Sequence, residues 1–171
     1  MSSIKISGKS GSDMIYLHIP EDPAVVGAVG RIALRHGQLD YILRMTIKTL
    51  GGLSIQDALD ATARLGSRDL RERIRKLARQ RLGEGAPLLR LEAILQRAAK
   101  VTDRPNHLLH TLWAHELDGA PVIRDEDNHT FKAIPTPDEL DAVASVLAEI
   151  ATELNMARLD GFLSEALKHK S

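Results

Sequence analysis

From residue 22 to residue 51 the chain places Val25, Val29, Ile32, His36, Leu39, Leu43, Thr46 and Leu50 at alternating four- and three-residue steps. On helix geometry that spacing is one continuous seam about eight turns long, with His36 and Thr46 as its polar intrusions. Asp22-Pro23 supplies a capping side chain and a proline for the first helical position. Gly51-Gly52 ends the pattern. Gly27, Gly30 and Gly37 cost the helix some propensity and let a neighbouring helix come close. Ser54 to Asp57 opens a short helix to about Leu65, and Gly66-Ser67 precedes a second, very basic one to about Leu82. After the turn Gly83 to Pro87, Leu88, Leu91, Leu95 and Ala98 mark another buried stripe. Arg104-Pro105 predicts a kink or break, because a residue before proline avoids the helical region. Helix resumes from Asn106 to about Leu117. Thr136-Pro137-Asp138-Glu139 has the form of a capping box. It opens a last helix whose face carries Leu140, Val143, Leu147, Ile150, Leu154, Ala157 and Phe162.

Two segments fall outside this helical period. Residues 1–20 are rich in Ser and Gly and alternate only over Met14 to Ile19, so they read as a tail or one or two short strands. Between Gly119 and Pro137, Val122-Ile123 and Thr130-Phe131 are placed to pair as a small hairpin around Asp125–Asn128. The expected architecture is an all-α bundle of five or six helices over residues 21–171, with a small β-hairpin inserted before a long C-terminal helix. The first and last helices are long enough to leave apolar surface for a second copy, so a homodimer is expected.

Composition narrows the chemistry. The 171 residues include no cysteine, which removes disulfides, thiolate zinc sites, iron–sulfur clusters and cysteine nucleophiles. No apolar run approaches the roughly 20 residues of a membrane span, and the first 20 residues lack the parts of a signal peptide, so a cytoplasmic protein is expected. The zero net charge conceals an asymmetry. Residues 64–81 hold Arg64, Arg68, Arg71, Arg73, Arg75, Lys76, Arg79 and Arg81 against Asp69 and Glu72, whereas residues 115–165 are strongly acidic. Arg71, Arg75 and Arg79, at four-residue steps, are the candidate contacts for a nucleic-acid backbone. The competing reading is that two oppositely charged faces pair with each other. Gly8-Lys9-Ser10 lacks the upstream glycine of a phosphate-binding loop and is set aside.

The densest group of reactive side chains is residues 103–116, DRPNHLLHTLWAHE. On the expected helix, Leu108, Leu109, Leu112 and Trp113 form an apolar stripe, with Asn106 and His110 together on one edge of it and His107 nearer solvent. A half-desolvated histidine in that position is suited to bind phosphate or move a proton near neutral pH.

At Arg104, Asn106 and His110 the chain resembles the HEPN superfamily, small all-α domains with an Arg-x(4–6)-His motif near the start of the last core helix. The resemblance extends as an arrangement over residues 23–117: a long first helix with a polar position and an acid at its middle (His36, Asp40), shorter helices, then the motif followed by Trp113. Pro105 departs from the pattern, since the usual arginine adjoins the polar residue and here stands one position earlier. The resemblance implies metal-independent RNA cleavage by two motifs meeting across a dimer. His110 would assist proton transfer, Arg104 would stabilise charge on the phosphoryl oxygens, and Asn106 would orient His110 or the phosphate. No cofactor is implied. A bundle metal site is the weaker alternative, because no Glu-x-x-His pair falls on an expected helix and His107 and His110 diverge by about 60° on the wheel. His36 reads as a hydrogen-bonded core histidine and Trp113 as a core anchor. The rival to an RNA-cleaving protein is a non-enzymatic dimerisation or adaptor domain, with a protein partner of the defence or toxin–antitoxin kind.

Overall fold

A computed structural model describes residues 5–6, 15–17, 20–110, 113–116, 121–125 and 130–169, in full over 20–102 and 133–169 and as backbone over the rest. The long seam forms α1, Pro23–Gly51. The Asp22 carboxylate accepts the Ala24 N–H at 2.8 Å, and Pro23 opens the first turn. Gly52 closes the helix in the left-handed region at φ 64°, returning its N–H to the Lys48 carbonyl. Four further helices follow the sequence signals: α2, Ile55–Thr62, capped by Ser54; α3, Ser67–Leu82; α4, Ala86–His110; and α5, Pro137–Leu159. At the start of α5 the reciprocal bonds of a capping box are present between Thr136 and Glu139. A short α6, Phe162–Lys168, completes the helices among the described residues.

The core is helical. α1 runs through it and packs against α2, α3, α4 and α5. Ile32, Leu39 and Leu43 of α1 are fully buried with Ile74 of α3, Leu95 of α4 and Leu147 of α5. α1 and α5 lie parallel. Arg31 bonds Asp141 near the starts of the two helices, and Tyr41 and Asn155 line one groove further along.

The sequence expectation needs four corrections. First, α4 is unbroken through Pro105. The ring removes one bond to the Val101 carbonyl, at a cost of about 3 kcal/mol, and the packing of α4 on α3 and α5 outweighs it. Second, the helix does not continue to Leu117. It ends at His110, and Trp113–Glu116 is a strand, β3. The deciding interactions are non-local. β3 is flanked on both sides, by β2 (Ile15–Leu17) and by β4 (Pro121–Asp125). Third, the all-α bundle stands as expected, but the strands beside it are more than an isolated hairpin. β1 (Lys5–Ile6), β2, β3, β4 and β5 (Thr130–Ala133) form one antiparallel sheet in sequence order. Within it Ile123 pairs with Lys132 and Arg124 with Phe131. Fourth, the last helix divides at Asp160-Gly161. A side chain at Gly161 would stand 3.0 Å from the Met156 carbonyl oxygen and 3.1 Å from the Ala157 Cα, so the turn between α5 and α6 needs glycine.

Candidate functional site at the junction of α1, α3 and α4

Where α3 begins beside the middle of α1, a set of polar side chains is enclosed. Asp40 of α1 accepts the Ser67 hydroxyl at 2.5 Å. One turn earlier on α1, His36 Nδ1 lies 4.0 Å from the other Asp40 oxygen, too far for a hydrogen bond. One turn further along α3, Arg71 donates to the Thr102 hydroxyl of α4 at 2.8 Å, and Thr102 in turn donates to the Ala98 carbonyl at 2.8 Å. Ser67, Arg71 and Thr102 are all buried, whereas the side chains of His36 and Asp40 are 15% and 25% exposed. The site therefore has a closed floor and a partly open rim.

His36 differs from its expected role. It stands at the edge of the seam, and its Nε2 atom is buried without a hydrogen-bond partner among the described residues. A buried imidazole nitrogen left unbonded costs about 1–3 kcal/mol.

Arg71 also departs from expectation. It was a candidate RNA contact, yet only 5% of it is exposed, and its guanidinium is engaged by Thr102. The signal was present in the sequence: Ser67, Arg71, Ile74, Ala78 and Leu82 follow the four-three-four-four spacing of a buried stripe. The charge of the segment hid it. Of the other two candidates, Arg75 is half-buried, and Arg79 is exposed and paired with Glu92 of α4 at 3.0 Å. Arg68 is exposed and pairs with Glu72 at 3.3 Å. Arg75, Lys76 and Arg81 enter no ion pair among the described residues.

Arg104, Asn106 and His110 occupy the last turns of α4, directly beyond Thr102. Positions 106 and 110 continue, at four-residue steps, the row begun by the buried Ala98 and Thr102. The side chains of the three motif residues lie outside the described residues, as does that of His107. Among the described residues no group of three His, Asp or Glu is arranged to hold a metal ion, and no helix is long and apolar enough to cross a membrane.

Sequence reasoning noticed His36 and Asp40 as a polar step on α1 but did not connect them to Ser67, Arg71 and Thr102. No local pattern relates Asp40 to Ser67, 27 residues away, or Arg71 to Thr102, 31 residues away. Comparisons of the chain with protein-family models, with curated proteins and with solved structures found no match.

Proposed function

We propose that the chain is a HEPN-like RNA-binding protein and a metal-independent endoribonuclease, with the C-terminal turns of α4 as its reactive edge. The observation that carries this reading is the bonded floor of Asp40–Ser67 and Arg71–Thr102, built immediately ahead of Arg104, Asn106 and His110 on one unbroken helix. A floor of that kind holds the backbone from which a catalytic side chain projects, and rigid support is what positioned proton transfer requires. In this reading His110 moves the proton at the ribose 2′-hydroxyl or the leaving oxygen. Arg104 neutralises charge developing on the phosphoryl group, for which its planar fork is suited. Asn106 orients His110 or the phosphate. The exposed cations of α3, Lys76, Arg79 and Arg81, supply backbone affinity. The attacking 2′-hydroxyl belongs to the RNA, and displacement of the 5′ oxygen leaves a 2′,3′-cyclic phosphate.

The test is cleavage of single-stranded RNA by the full chain in EDTA. Cyclic-phosphate products are expected, and His110→Ala should slow the reaction by about 10²–10⁴, the range of a positioned acid or base. Binding should survive that change. Cleavage that persists in His110→Ala, or that depends on added magnesium, refutes the mechanism.

A second reading, a non-enzymatic adaptor domain, is favoured by the pairing on α3. Arg71 is buried, and Arg68 and Arg79 each have an acidic partner within the chain. A folded chain that neither binds nor cuts RNA supports this reading.

A further inference from the structure

Three side-chain atoms among the described residues are buried without a hydrogen-bond partner, and two of them lie one turn apart on α5: Asn155 Oδ1 and Arg158 Nε. The first is an acceptor and the second a donor. Arg158 also enters no ion pair among the described residues. Burial pushes its guanidinium below the ordinary value, and the neighbouring Tyr41 phenol acts against that. Two such groups side by side call for bonds that the chain itself does not provide.

Asn155 lines a groove between the parallel helices α1 and α5, with Leu34, Gln38 and Tyr41 across from it. That stretch, about 490 Å³, continues into one of about 540 Å³ toward Arg31, since Leu34, Arg35, Gln38 and Ala148 line both. From Asp141 to Arg158 the groove follows α5 for about 25 Å. Ala144, Ala148 and Ala151 keep its α5 side low. Leu34 and Tyr41 stand on the α1 side, 71% and 47% exposed, and exposed Leu159 lies one turn beyond Asn155.

We propose that the α1–α5 groove docks an extended, acidic and apolar peptide segment of a partner protein, whose main chain bonds the Asn155 amide and whose carboxylate meets Arg158. A primary amide presents an N–H and a C=O side by side, the complement of one peptide unit. Ser145 and Thr152 repeat exposed polar groups along the same side of α5. A docked helix would bring its backbone bonds already made, whereas an extended chain has main-chain groups open to such partners. Charge selects an acidic one. The groove lining holds Arg31 and Arg35 against one acid, Asp141, and Asp141 is committed to Arg31 by bonds of 2.7 and 2.9 Å. Arg35 bonds only the neutral amide of Gln38, so with Arg158 two positive charges stand uncompensated. The alanine floor and the exposed Leu34 suit apolar side chains rather than the sugars and phosphates of a nucleic acid. At about 3.3 Å per residue the groove takes about seven or eight residues. This docking site stands independently of the RNA reading, whose residues lie on α3 and α4.

The test is selection of phage-displayed random dodecapeptides on the full chain, followed by fluorescence anisotropy with labelled synthetic copies of the enriched sequences. The enriched peptides should combine acidic with large apolar residues. Arg158→Gln should weaken their binding by about 10–100-fold, the range of one lost bond to a charged group. Leu34→Asp, at a residue the fold leaves exposed, should also weaken it at least about tenfold while keeping the helical circular dichroism. Leu89→Asp, exposed on α4, should not change it. Asn155→Leu separates docking from a structural role. It removes a buried atom that has no partner, so it should raise Tm of the free protein while weakening the peptide. No enriched family, a basic consensus, or binding indifferent to Arg158→Gln and Leu34→Asp overturns the proposal. So does an Asn155→Leu protein that binds as wild type does. Single-stranded RNA of the same length that displaces the peptide and depends on Arg158 and Leu34 overturns it as well, because the groove is then a nucleic-acid site.

Discussion

Thr102→Val should destabilise the protein more than Arg71→Met, although arginine carries the charge. Thr102 is 1% exposed and is an acceptor for the buried guanidinium of Arg71 at 2.8 Å. Valine keeps the shape of threonine and removes the acceptor, leaving a buried cationic donor short of one partner. Hydrogen bonds to charged groups are worth about 1.5–3 kcal/mol, and an abandoned buried donor costs the full amount. Arg71 has a further interaction that persists, so the expected loss is about 2 kcal/mol. For a chain of this length that lowers Tm by roughly 4–8 °C. Arg71→Met preserves the apolar stem and removes the charge together with its desolvation cost. Thr102 still donates to the Ala98 carbonyl, so its hydroxyl is not orphaned. The loss expected on the Thr102 side is about 1 kcal/mol or less. The double variant should recover most of the Thr102→Val penalty, with a coupling of about 1–2 kcal/mol. Urea titrations followed by circular dichroism on the four proteins measure all of this. Strict additivity refutes the reasoning. A stable Arg71→Met protein with reduced RNA affinity would return Arg71 to a surface role.

The remaining expectations concern two other links between helices. Ser67→Ala removes the 2.5 Å bond to Asp40 that ties α3 to α1 and should cost about 1 kcal/mol in the same titration, with Ser67→Thr closer to wild type; an alanine variant as stable as wild type contradicts the bond. The hydrogen bonds from Arg31 hold the Asp141 carboxyl below the usual carboxylate range. With the folded pKa depressed, the pair's contribution is complete above the unfolded value near about 4 and fades as pH falls toward the lower folded value. Asp141→Asn should therefore lower Tm slightly at neutral pH and low salt, and both acid and about 1 M salt should erase the difference. A difference that grows in acid refutes the assignment.

Much of the helical framework was legible in the sequence because its causes are local. Asp22-Pro23, Gly52, Ser54 and the Thr136–Glu139 box act within one turn, and they set helix ends where the chain pattern places them. The core seam of α1 was equally legible, since a buried face must repeat with the period of the helix. What failed was every question settled by residues far apart in the chain. Trp113 fits a helical stripe by spacing, yet its backbone pairs with Ile123 in a strand held between residues 15–17 and 121–125. Pro105 marks a break by its own chemistry, yet the packing of α4 against α3 and α5 carries the helix through it. Arg71 reads as one of eight cations on a basic segment, and its burial appears only when Thr102 is brought to it across 31 residues. The sequence by itself determined the helix ends that carry their own caps and which faces of most helices turn inward. The tertiary structure decided which of its polar residues are enclosed and joined, because a buried hydrogen bond exists only once separate helices have packed.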